Sequence, residues 1–581
     1  MFLFDFFRSF LPLHNPLGFG ASDFLLFALA SMLVTLVFLR TWLEPFARRF
    51  AERTWWCMAL LAALPIVLRL ALLARHPVPT PGGADDFSYL LLADTLRHFR
   101  LANAPHPLSQ FFEAVFIVQE PTYSSIFPLG QGIVLALGWL VFGHPWTGVM
   151  LSVAALCALC YWMLRAWTTP GWALVGGLLA VMEFGPLNQW MNLYWGGAAS
   201  AAAGCLVFGA LPRLRHTLGS RDAAILGAGL GLQLLSRPFE FVLLSVCVAL
   251  YFLPLWKQQR MLMRPAGVAA LAMLPALVLT LAQNRAVTGQ WTTLPYQLSR
   301  YQYGVPATFT VQPNPTPHRT LTPEQQLDYQ AQCIIHGEGT DSFGSYVERW
   351  TGRVHFYRFF FLAPLYLALP FFVAALREFR FLWVLGTLLL FSLGTNFYPY
   401  FYPHYIAALT CLMLLVSITA LTRVPAASLI LFLCTAQFLF WYGIHALAGE
   451  NLFLAVARYD TGDFVNYGDP EGRIAINGTL DAAQGKQLVF VQYGPQHAFH
   501  EWIHNAADID RAHIVWAADL GAIENDKLRK YYPGRTVWLA QPDAIPPRVI
   551  PYPYIAAPGP HGLFENGPVK NSTDIEEIGK H

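Results

Sequence analysis

Hydrophobic residues in this chain come in long runs separated by short polar stretches. Most runs approach the roughly 20 residues that an α-helix needs to cross the hydrocarbon core of a bilayer. The runs do not alternate as the strands of a transmembrane barrel do, and helices are the other structure that satisfies its own backbone in lipid. The pattern predicts an all-α polytopic membrane domain with about 12–13 transmembrane helices. The apolar segments lie near 22–40, 56–75, 127–143, 146–165, 171–185, 196–211, 223–236, 238–256, 266–283, 357–376, 380–396, 403–421 and 425–446.

The composition is typical of a membrane protein and gives no reason to expect a nucleic-acid partner. Hydrophobic residues make up 55% of the chain and charged residues only 12%, whereas soluble domains carry about 25% charged residues. The net charge of +2 gives no bulk electrostatic reason to bind nucleic acid. We therefore expect membrane lipid around the protein and no nucleic-acid partner.

Lysine and arginine in the short connections predict how the helices are oriented, because these residues collect on the cytoplasmic side. The basic clusters lie at 46–53, 213–221, 257–264, 377–380 and at Arg423. The long connections 76–126 and 284–356 and the tail after 447 are then expected to share the extracytoplasmic face.

The predicted orientation sets a parity condition on the first half of the chain. Five apolar segments lie between the clusters at 46–53 and 213–221, although a chain that returns to the same face crosses an even number of times. One segment therefore does not span. The segment at 171–185 is short for a span, and we predict that it is re-entrant or a half-helix.

The tail has a different pattern and predicts a second domain, 447–581, after a membrane domain that covers 1–446. Short apolar runs of buried-strand type occur at 486–493, 513–519 and 535–542. The stretches between them, near 498–506 and 521–531, are predicted to be helical. Strands that alternate with helices favour a small α/β domain with a parallel sheet, and its Pro/Gly-rich end is expected to be loosely ordered.

An acidic pair stands beside the membrane in the first long connection. Asp85 and Asp86 follow a Pro-Gly-Gly turn and open a segment with helical apolar spacing. Ionised carboxylates near hydrocarbon cost several kcal/mol, so they persist by neutralising, pairing or facing a wet cavity. One interpretation is structural, in which one Asp caps the helix and the other is favoured by the helix dipole. A carboxylate can also cap and act chemically, so the two interpretations do not exclude each other.

The order of features around this pair resembles the GT-C superfamily of lipid-dependent glycosyltransferases, in its protein mannosyltransferase-like and aminoarabinose transferase-like branch. After "GADDFSYLLLADTL" comes a second amphipathic stretch near 109–118, and "QEPTYSSIFPLGQGIVLALGWLVFG" then enters the membrane. Tyr123, Pro128, Leu129 and Gly130 match the family's re-entry pattern, and Asp85–Asp86 stand where the family has an acidic pair. The resemblance covers residues 56–420.

The resemblance implies a chemistry and a location. The donor would be a sugar on a polyprenyl-phosphate carrier, and the acceptor a glycan, a lipid or a protein at the extracytoplasmic face of the cell (inner) membrane. Asp85 would be the general base in an inverting attack, and Asp86 would tune it or bind the acceptor. No cofactor is expected beyond the lipid-linked substrate. Whether a divalent metal takes part stays open, because relatives in the superfamily differ and the spacing of Asp85–Asp86 alone gives no support for one.

Further residues are candidates for binding the donor phosphate or the substrate. Arg237 is set between two apolar stretches and could bind phosphate through its forked donors, or it could snorkel to water or pair with Glu240. His404 and Tyr405 match a His-Tyr pair that opens a late helix in related transferases, or they belong to an interfacial aromatic belt. The other candidates are Arg300, Glu120, Tyr123, Arg285, Arg353 and Arg358.

A competing motif lies in the tail, where His500, Glu501 and His504 form His-Glu-x-x-His. On a helix this spacing binds zinc through two histidines and presents the glutamate as a base. Ala507 stands where metzincins have a glycine, no methionine follows Met413, and the surrounding pattern is α/β. These three features count against a protease. The alternatives to a glycosyltransferase are a membrane-anchored zinc metalloprotease that uses this motif and a non-enzymatic lipid or sugar transporter.

Overall fold

The computed structural model describes residues 32–33, 35, 44–254, 259–337, 339–447, 472–495, 497 and 500–552. The predicted span at 22–40 lies almost wholly outside these residues. The helices of the membrane domain are α1 (Thr54–Ala71), α2 (Ala84–Arg97), α3 (Leu129–Phe142), α4 (Pro145–Leu164), α5 (Pro170–Phe184), α6 (Ala198–Thr217), α7 (Ser220–Ser236), α8 (Pro238–Phe252), α9 (Gln259–Thr288), α10 (Pro295–Tyr303), α11 (Pro323–His336), α12 (Phe343–Gly352), α13 (Phe379–Thr395), α14 (Thr410–Leu421) and α15 (Ala427–Leu447).

Four helical segments of the described chain are individually long and apolar enough to cross a membrane: Thr54–Ala71, Pro145–Leu164, Arg260–Thr288 and Pro403–Leu421. Five shorter apolar helices of 10–17 residues accompany them. Every residue of α14 is buried, so α14 is the central helix of the bundle. The predicted span at 357–376 is instead three consecutive 3-10 helices, Arg353–Phe360, Ala363–Leu367 and Leu369–Arg377.

Contacts at the helix ends show which ends lie on the same side of the membrane domain. The Arg69 guanidinium at the end of α1 donates to Asn192 Oδ1 at 2.8 Å and lies 4.9 Å from the ring of Trp146, at the start of α4. At the other end of α4, the Tyr161 hydroxyl donates to the Ala51 carbonyl at 2.7 Å, just before α1. α1 and α4 are therefore antiparallel. We call the side with Arg69 the site face and the side with Ala51 the opposite face.

The basic clusters gather on the opposite face. Ala51 belongs to the cluster at 46–53, and Arg213, in the next cluster, donates to the carbonyl of Trp162 near the end of α4 at 2.8 Å. Arg423 and Glu378 lie 3.4 Å apart, which joins two later connections. This grouping agrees with the predicted common side for the basic loops.

Helix α3 begins and ends on the site face, so it does not cross. The preceding residue Phe127 stacks on Tyr89 of α2, with ring centroids 4.2 Å apart, and α4 starts on the site face three residues after α3 ends. Gly143 reverses the chain at φ +81°. A Cβ on Gly138 would lie 2.1 Å from the Gly148 nitrogen, so α3 and α4 pack backbone to backbone.

The parity condition is therefore met by α3, and the prediction that 171–185 is re-entrant is wrong. Helix α5 begins on the opposite face after α4 ends there. It finishes at Phe184, whose ring stacks on Trp190 at 5.5 Å in the connection that also holds Asn192. The number of residues in an apolar run could not distinguish the two cases, since α3 has 14 residues and α5 has 15.

The connection between α2 and α3 forms a small hairpin and no second amphipathic helix. A 3-10 turn at Ser109–Phe111 is followed by β1 (Ile117–Val118), which pairs antiparallel with β2 (Ser124–Ser125). The predicted amphipathic stretch at 109–118 buries Phe111 and Phe112 against the tail domain. Its apolar side chains therefore serve a protein interface.

The tail forms the predicted small α/β domain. Its elements are α16 (Arg473–Ala482), β3 (Gln487–Val491), β4 (Ile514–Ala518), α17 (Ala522–Tyr531), β5 (Thr536–Gln541) and β6 (Arg548–Pro551). The sheet order is β4-β3-β5-β6, with the first three strands parallel and β6 antiparallel. The predicted fold class, a helical membrane domain with a C-terminal α/β domain, is confirmed.

The predicted helix near 498–506 is wrong, because the described residues 500–505 form no helix. The Glu501 side chain accepts from the backbone N–H of Ile503 at 2.9 Å, and the Tyr493 hydroxyl accepts from the N–H of Trp502 at 2.8 Å. Side chains that take up backbone donors locally compete with helical hydrogen bonding.

Candidate active site

The acidic pair lies in the first turn of α2, and neither aspartate caps the helix. The N-cap is Gly83, with φ −84° and ψ 157°, and it makes no side-chain cap hydrogen bond. Asp85 and Asp86 occupy the following turn, where the helix dipole favours negative charge. Adjacent positions on a helix point about 100° apart, so the two carboxylates have different surroundings.

Asp86 is an anchor between α2 and the connection before α6. Its side chain is 2% exposed, and its Oδ1 accepts from the N–H of Tyr194 at 2.9 Å. The N–H of Gly82 donates to Oδ2 at 3.4 Å, and the N–H of Trp195 also donates to this carboxylate. Burial raises the pKa of Asp86 to about 7 despite these donors.

Asp85 faces Arg237 and a set of tyrosines. It is partly buried, and burial raises its pKa to about 6, while the nearby Arg237 guanidinium opposes the rise. Tyr296, Tyr402 and Tyr405 lie within electrostatic range of Asp85. We call Asp85, Arg237 and these three tyrosines the acidic site. It joins α2, the α7–α8 junction, α10 and the segment before α14.

Arg237 is held by two helices at once. It ends α7 and precedes Pro238 at the start of α8, in an extended conformation with φ −148° and ψ 87°. Its guanidinium lies 4.7 Å from the Tyr405 ring centroid. Among the described residues it makes no side-chain hydrogen bond and no ion pair within 4.0 Å, including with Glu240. A half-buried guanidinium with all its donors unused is a ready site for an anion.

His404 lies beside the acidic site and forms an aromatic wall together with Trp195 and Tyr402. Its ring centroid lies 4.6 Å from Trp195, 4.5 Å from Tyr405 and 5.6 Å from Tyr402. The side chain is buried, and its Nδ1 has no hydrogen-bond partner in the described part of the chain. Of the sequence candidates, the structure thus brings Asp85, Asp86, Arg237, Glu240, His404 and Tyr405 together.

Other candidates have structural partners or lie elsewhere. Arg300 donates to the carbonyls of Pro306 and Ala307 at 3.0 and 2.8 Å, which shapes the turn after α10. Glu240 is the exception: it lies in the first turn of α8 within electrostatic range of Arg237, and it is buried with Oε1 unpartnered among the described residues. Arg285 donates to the Gly289 carbonyl, and Arg353 donates to the carbonyls of Thr395, Tyr398 and Pro399.

Glu120 lies in a second carboxylate–arginine cluster, where it is exposed and 3.5 Å from Arg319. The centre of this cluster is Glu113, which the sequence analysis missed. Glu113 accepts from Arg319 at 2.8 Å, from the Tyr303 hydroxyl at 2.9 Å and from Gln325 at 3.4 Å. A signal for it existed, since it is the lone charge in the apolar stretch "FFEAVFIV".

Tyr123 and the His-Glu-x-x-His segment lie at the junction of the two domains. The Tyr123 hydroxyl donates to the Asn505 carbonyl at 3.2 Å. Glu501 accepts from the Tyr493 hydroxyl at 2.8 Å and from the Val115 N–H at 3.4 Å, so it is not free to act on a water. His504 packs on Phe87 at 4.6 Å, and burial lowers its pKa to about 3.

The zincin interpretation is therefore wrong. The motif is not on a helix, so His500 and His504 do not share the helical face that zinc requires. His500 is exposed whereas His504 is half-buried and packs on Phe87. Within the described ranges, no group of three or more His, Cys, Asp or Glu side chains is arranged to hold a metal ion.

No family model matches the chain, and no curated protein is similar to it in sequence. Among solved structures, it is similar to ArnT from Cupriavidus metallidurans in the apo state, with 12% identity and a TM-score of 0.47 over 84% of this chain and 93% of ArnT. The same enzyme bound to undecaprenyl phosphate gives 13% identity and a TM-score of 0.48 over 83% and 92%.

A third similar structure is the oligosaccharyltransferase AglB from Archaeoglobus fulgidus, in complex with an inhibitory peptide and a dolichol-phosphate. It gives 12% identity and a TM-score of 0.38 over 84% of this chain and 69% of AglB. At these identities and TM-scores, the roles of the residues in this chain rest on its own geometry.

Proposed function

We propose that this protein is an integral membrane glycosyltransferase, which moves a sugar from a polyprenyl-phosphate carrier to an acceptor at the site face. The observation that carries the proposal is the acidic site itself. A carboxylate with a raised pKa and an arginine with unused donors lie within electrostatic range of each other, between tyrosines, at the edge of the membrane. The transfer needs both groups, since one must accept the proton of the acceptor hydroxyl and the other must stabilise the negative charge on the leaving phosphate.

The proposed step is an inverting displacement. The Asp85 carboxylate accepts the proton of the acceptor hydroxyl while that oxygen attacks the anomeric carbon. The bond between the anomeric carbon and the phosphate oxygen breaks, and the polyprenyl phosphate leaves with the electron pair. Arg237 stabilises the growing negative charge on the phosphate, and the tyrosine hydroxyls of the acidic site donate hydrogen bonds to it.

Asp86 has a different proposed role, because its oxygens already accept backbone hydrogen bonds. It fixes the first turn of α2 against the Tyr194–Trp195 connection. Its pKa, about 7, lies above that of Asp85, about 6, so Asp86 still holds its proton while Asp85 ionises, and burial is what raises the pKa of the base. The aromatic wall of Trp195, Tyr402 and His404 offers flat faces on which the apolar side of a sugar ring can pack.

The test is a rescue experiment in cells that lack the protein. Envelope glycans and lipid-linked sugars are compared after adding back the wild type, Asp85→Asn or Asp222→Asn at equal membrane levels. Asp222 is the matched control, since it lies on the opposite face in the first turn of α7. We expect the wild type and the control to restore one missing envelope sugar, and Asp85→Asn to leave its polyprenyl-phosphate donor accumulating.

Two results would contradict the proposal. One is full rescue by Asp85→Asn, which would leave the acidic pair with only a structural role. The other is an unchanged set of envelope and lipid-linked sugars in cells with and without the protein, which would point to a different substrate class or to a carrier.

A further inference from the structure

The tail segment that carries His500, Glu501 and His504 is packed on the helix that carries the acidic pair. The backbone of His500 forms an antiparallel bridge with Gly83, the N-cap of α2. Gly83 is two residues before Asp85. The tail domain therefore reaches the start of the acidic helix directly, although more than 400 residues separate them in sequence.

Phe87 is held between two tail residues. The His504 ring centroid lies 4.6 Å from the Phe87 ring, and the Arg473 guanidinium lies 4.3 Å from it. Arg473 also donates to the carbonyls of Glu501 and Trp502, so the guanidinium is fixed on its far side. Phe87 is 1% exposed and directly follows Asp86. We call Phe87, His504 and Arg473 the phenylalanine clamp.

Two hydrogen bonds extend this attachment beyond the first turn. Asp94, two turns along α2, accepts from the N–H of Ala507 at 2.6 Å. Glu501 accepts from the N–H of Val115 in the hairpin connection at 3.4 Å. The tail thus holds α2 at its first turn and near its end, and also holds the connection that follows it.

The attachment adds a second hold on a first turn that Asp86 already ties to the Tyr194–Trp195 connection. The first turn of a helix has unsatisfied N–H groups and frays unless a side chain caps it, and α2 has no side-chain cap. A general base acts only when it is held close to the productive geometry, and a misplacement of about 1 Å can cost about 100-fold in rate.

We propose that the tail domain is a positioning element of the active site, acting through the phenylalanine clamp to fix the first turn of α2 and with it Asp85. This proposal rests on the proposed glycosyltransferase function. His504, Arg473 and Phe87 are positioning residues and touch no substrate. The His-Glu-x-x-His segment then serves the transfer reaction by docking the tail.

The test compares His504→Ala with His504→Phe in full-length protein in lipid nanodiscs. The alanine variant removes the ring that faces Phe87, and the phenylalanine variant restores a ring without the imidazole. His513→Ala is the matched control, since His513 is an exposed histidine of the same domain. Readouts are kcat and KM for sugar transfer, the pH dependence of kcat/KM, and hydrogen exchange of the backbone amides at 84–88 and in β3.

We expect His504→Ala to lower kcat by about 10- to 100-fold with little change in KM, to move the pH limb of kcat/KM and to speed exchange at 84–88. His504→Phe should restore at least half of the activity, and His513→Ala should behave as wild type. Unchanged kcat and unchanged exchange at 84–88 in His504→Ala, with β3 still protected, would overturn the proposal. Failure of His504→Phe to restore activity when β3 is protected would do so as well.

A second variant covers the case in which His504→Ala unfolds the tail, seen as lost protection in β3. Phe87→Leu acts from the other side of the clamp, keeps an apolar side chain and leaves the tail sequence intact, so the same kcat and exchange criteria apply to it. Exchange at 84–88 is measured without substrate. Faster exchange with no sugar transfer by the wild type would therefore reject the glycosyltransferase function while leaving the docking intact.

Discussion

The Glu113 cluster and the acidic site are two of the carboxylate–arginine groupings on the site face, and they differ in how completely their hydrogen bonds are used. In the Glu113 cluster, both carboxylate oxygens accept hydrogen bonds and Arg319 contacts two carboxylates. In the acidic site, the Arg237 side chain has no hydrogen-bond partner among the described residues, although Asp85 and Glu240 are within electrostatic range. A closed network stabilises the fold, whereas an open one costs stability and is kept for a ligand. The comparison supports the proposed chemistry at Asp85 and Arg237, whereas Glu113 and Arg319 join two long connections.

The largest effect should come from removing the open carboxylate. Asp85→Asn keeps the shape of the side chain but cannot accept the acceptor proton, so kcat should fall about 10³-fold. The thermal unfolding midpoint should stay within about two degrees of wild type, since within the described residues the Asp85 side chain is hydrogen-bonded only to its own backbone N–H. Single-turnover transfer and thermal unfolding in detergent measure the two quantities. Loss of folding together with activity would make Asp85 a structural residue like Glu113.

The next largest effect should be a difference in rate between variants of Arg237 and of Arg319. Arg237→Gln removes the charge that faces the leaving phosphate, and the rate should fall about 10²-fold. Arg319→Gln removes a charge from the closed cluster and should cost less than about 10-fold in rate while lowering thermal stability. Equal rate losses in the two variants would erase the distinction between the clusters.

The pH dependence sharpens the comparison within the acidic pair. A general base works only when ionised, so kcat/KM should fall as the pH drops below about 6 and level off above it. In Asp86→Asn the limb should stay near pH 6, because Asp86, with a pKa of about 7, is still mostly protonated where Asp85 ionises, whereas Asp85→Asn should remove the limb. A limb that stays in place in Asp85→Asn would assign the titration to another group.

The smallest expected effect on rate, and a clear effect on stability, belongs to Glu113. Burial raises the pKa of this carboxyl although Arg319 and Tyr303 oppose the rise. Glu113→Gln leaves an uncompensated arginine and mismatched donors, which should lower the free energy of unfolding by about 1–3 kcal/mol. Chemical denaturation followed by tryptophan fluorescence measures this loss, with Glu324→Gln on α11 as the control. A large fall in kcat without destabilisation would move Glu113 into the catalytic machinery.

The sequence predicted elements where local chemistry decides them. Apolar runs located the helices of the bundle, and the β-branched and aromatic runs at 486–493, 513–519 and 535–542 located the parallel strands. The turn before Asp85 marked the start of α2. The acidic pair, Arg237 and the His404–Tyr405 pair were also predicted as candidates and meet in the structure.

Long-range packing decided what the sequence could not give. The reversal of α3 depends on Gly138 and Gly148 meeting across two helices, which no single apolar run reveals. The segment at 500–505 has helical spacing in sequence, but the Glu501 side chain and the Tyr493 hydroxyl take its backbone N–H groups. Phe111 belongs to an apolar stretch typical of a membrane surface, and its partner proves to be Phe490 in the tail, at 6.3 Å.

Helix α3 has one more consequence, for how the proposed lipid-linked donor would reach the acidic site. Leu137, Leu140, Val141 and Phe142 are each more than half exposed, on a helix that starts beside Tyr89 and lies at the membrane surface without crossing. Such a helix gives the bilayer an apolar path that leads sideways to the site. A donor with a long hydrocarbon chain would then arrive by two-dimensional diffusion, and its rate of use would follow its mole fraction among the lipids. Adding inert lipid or detergent at constant total donor should slow the reaction through surface dilution, whereas a donor with a short, water-soluble chain should be unaffected.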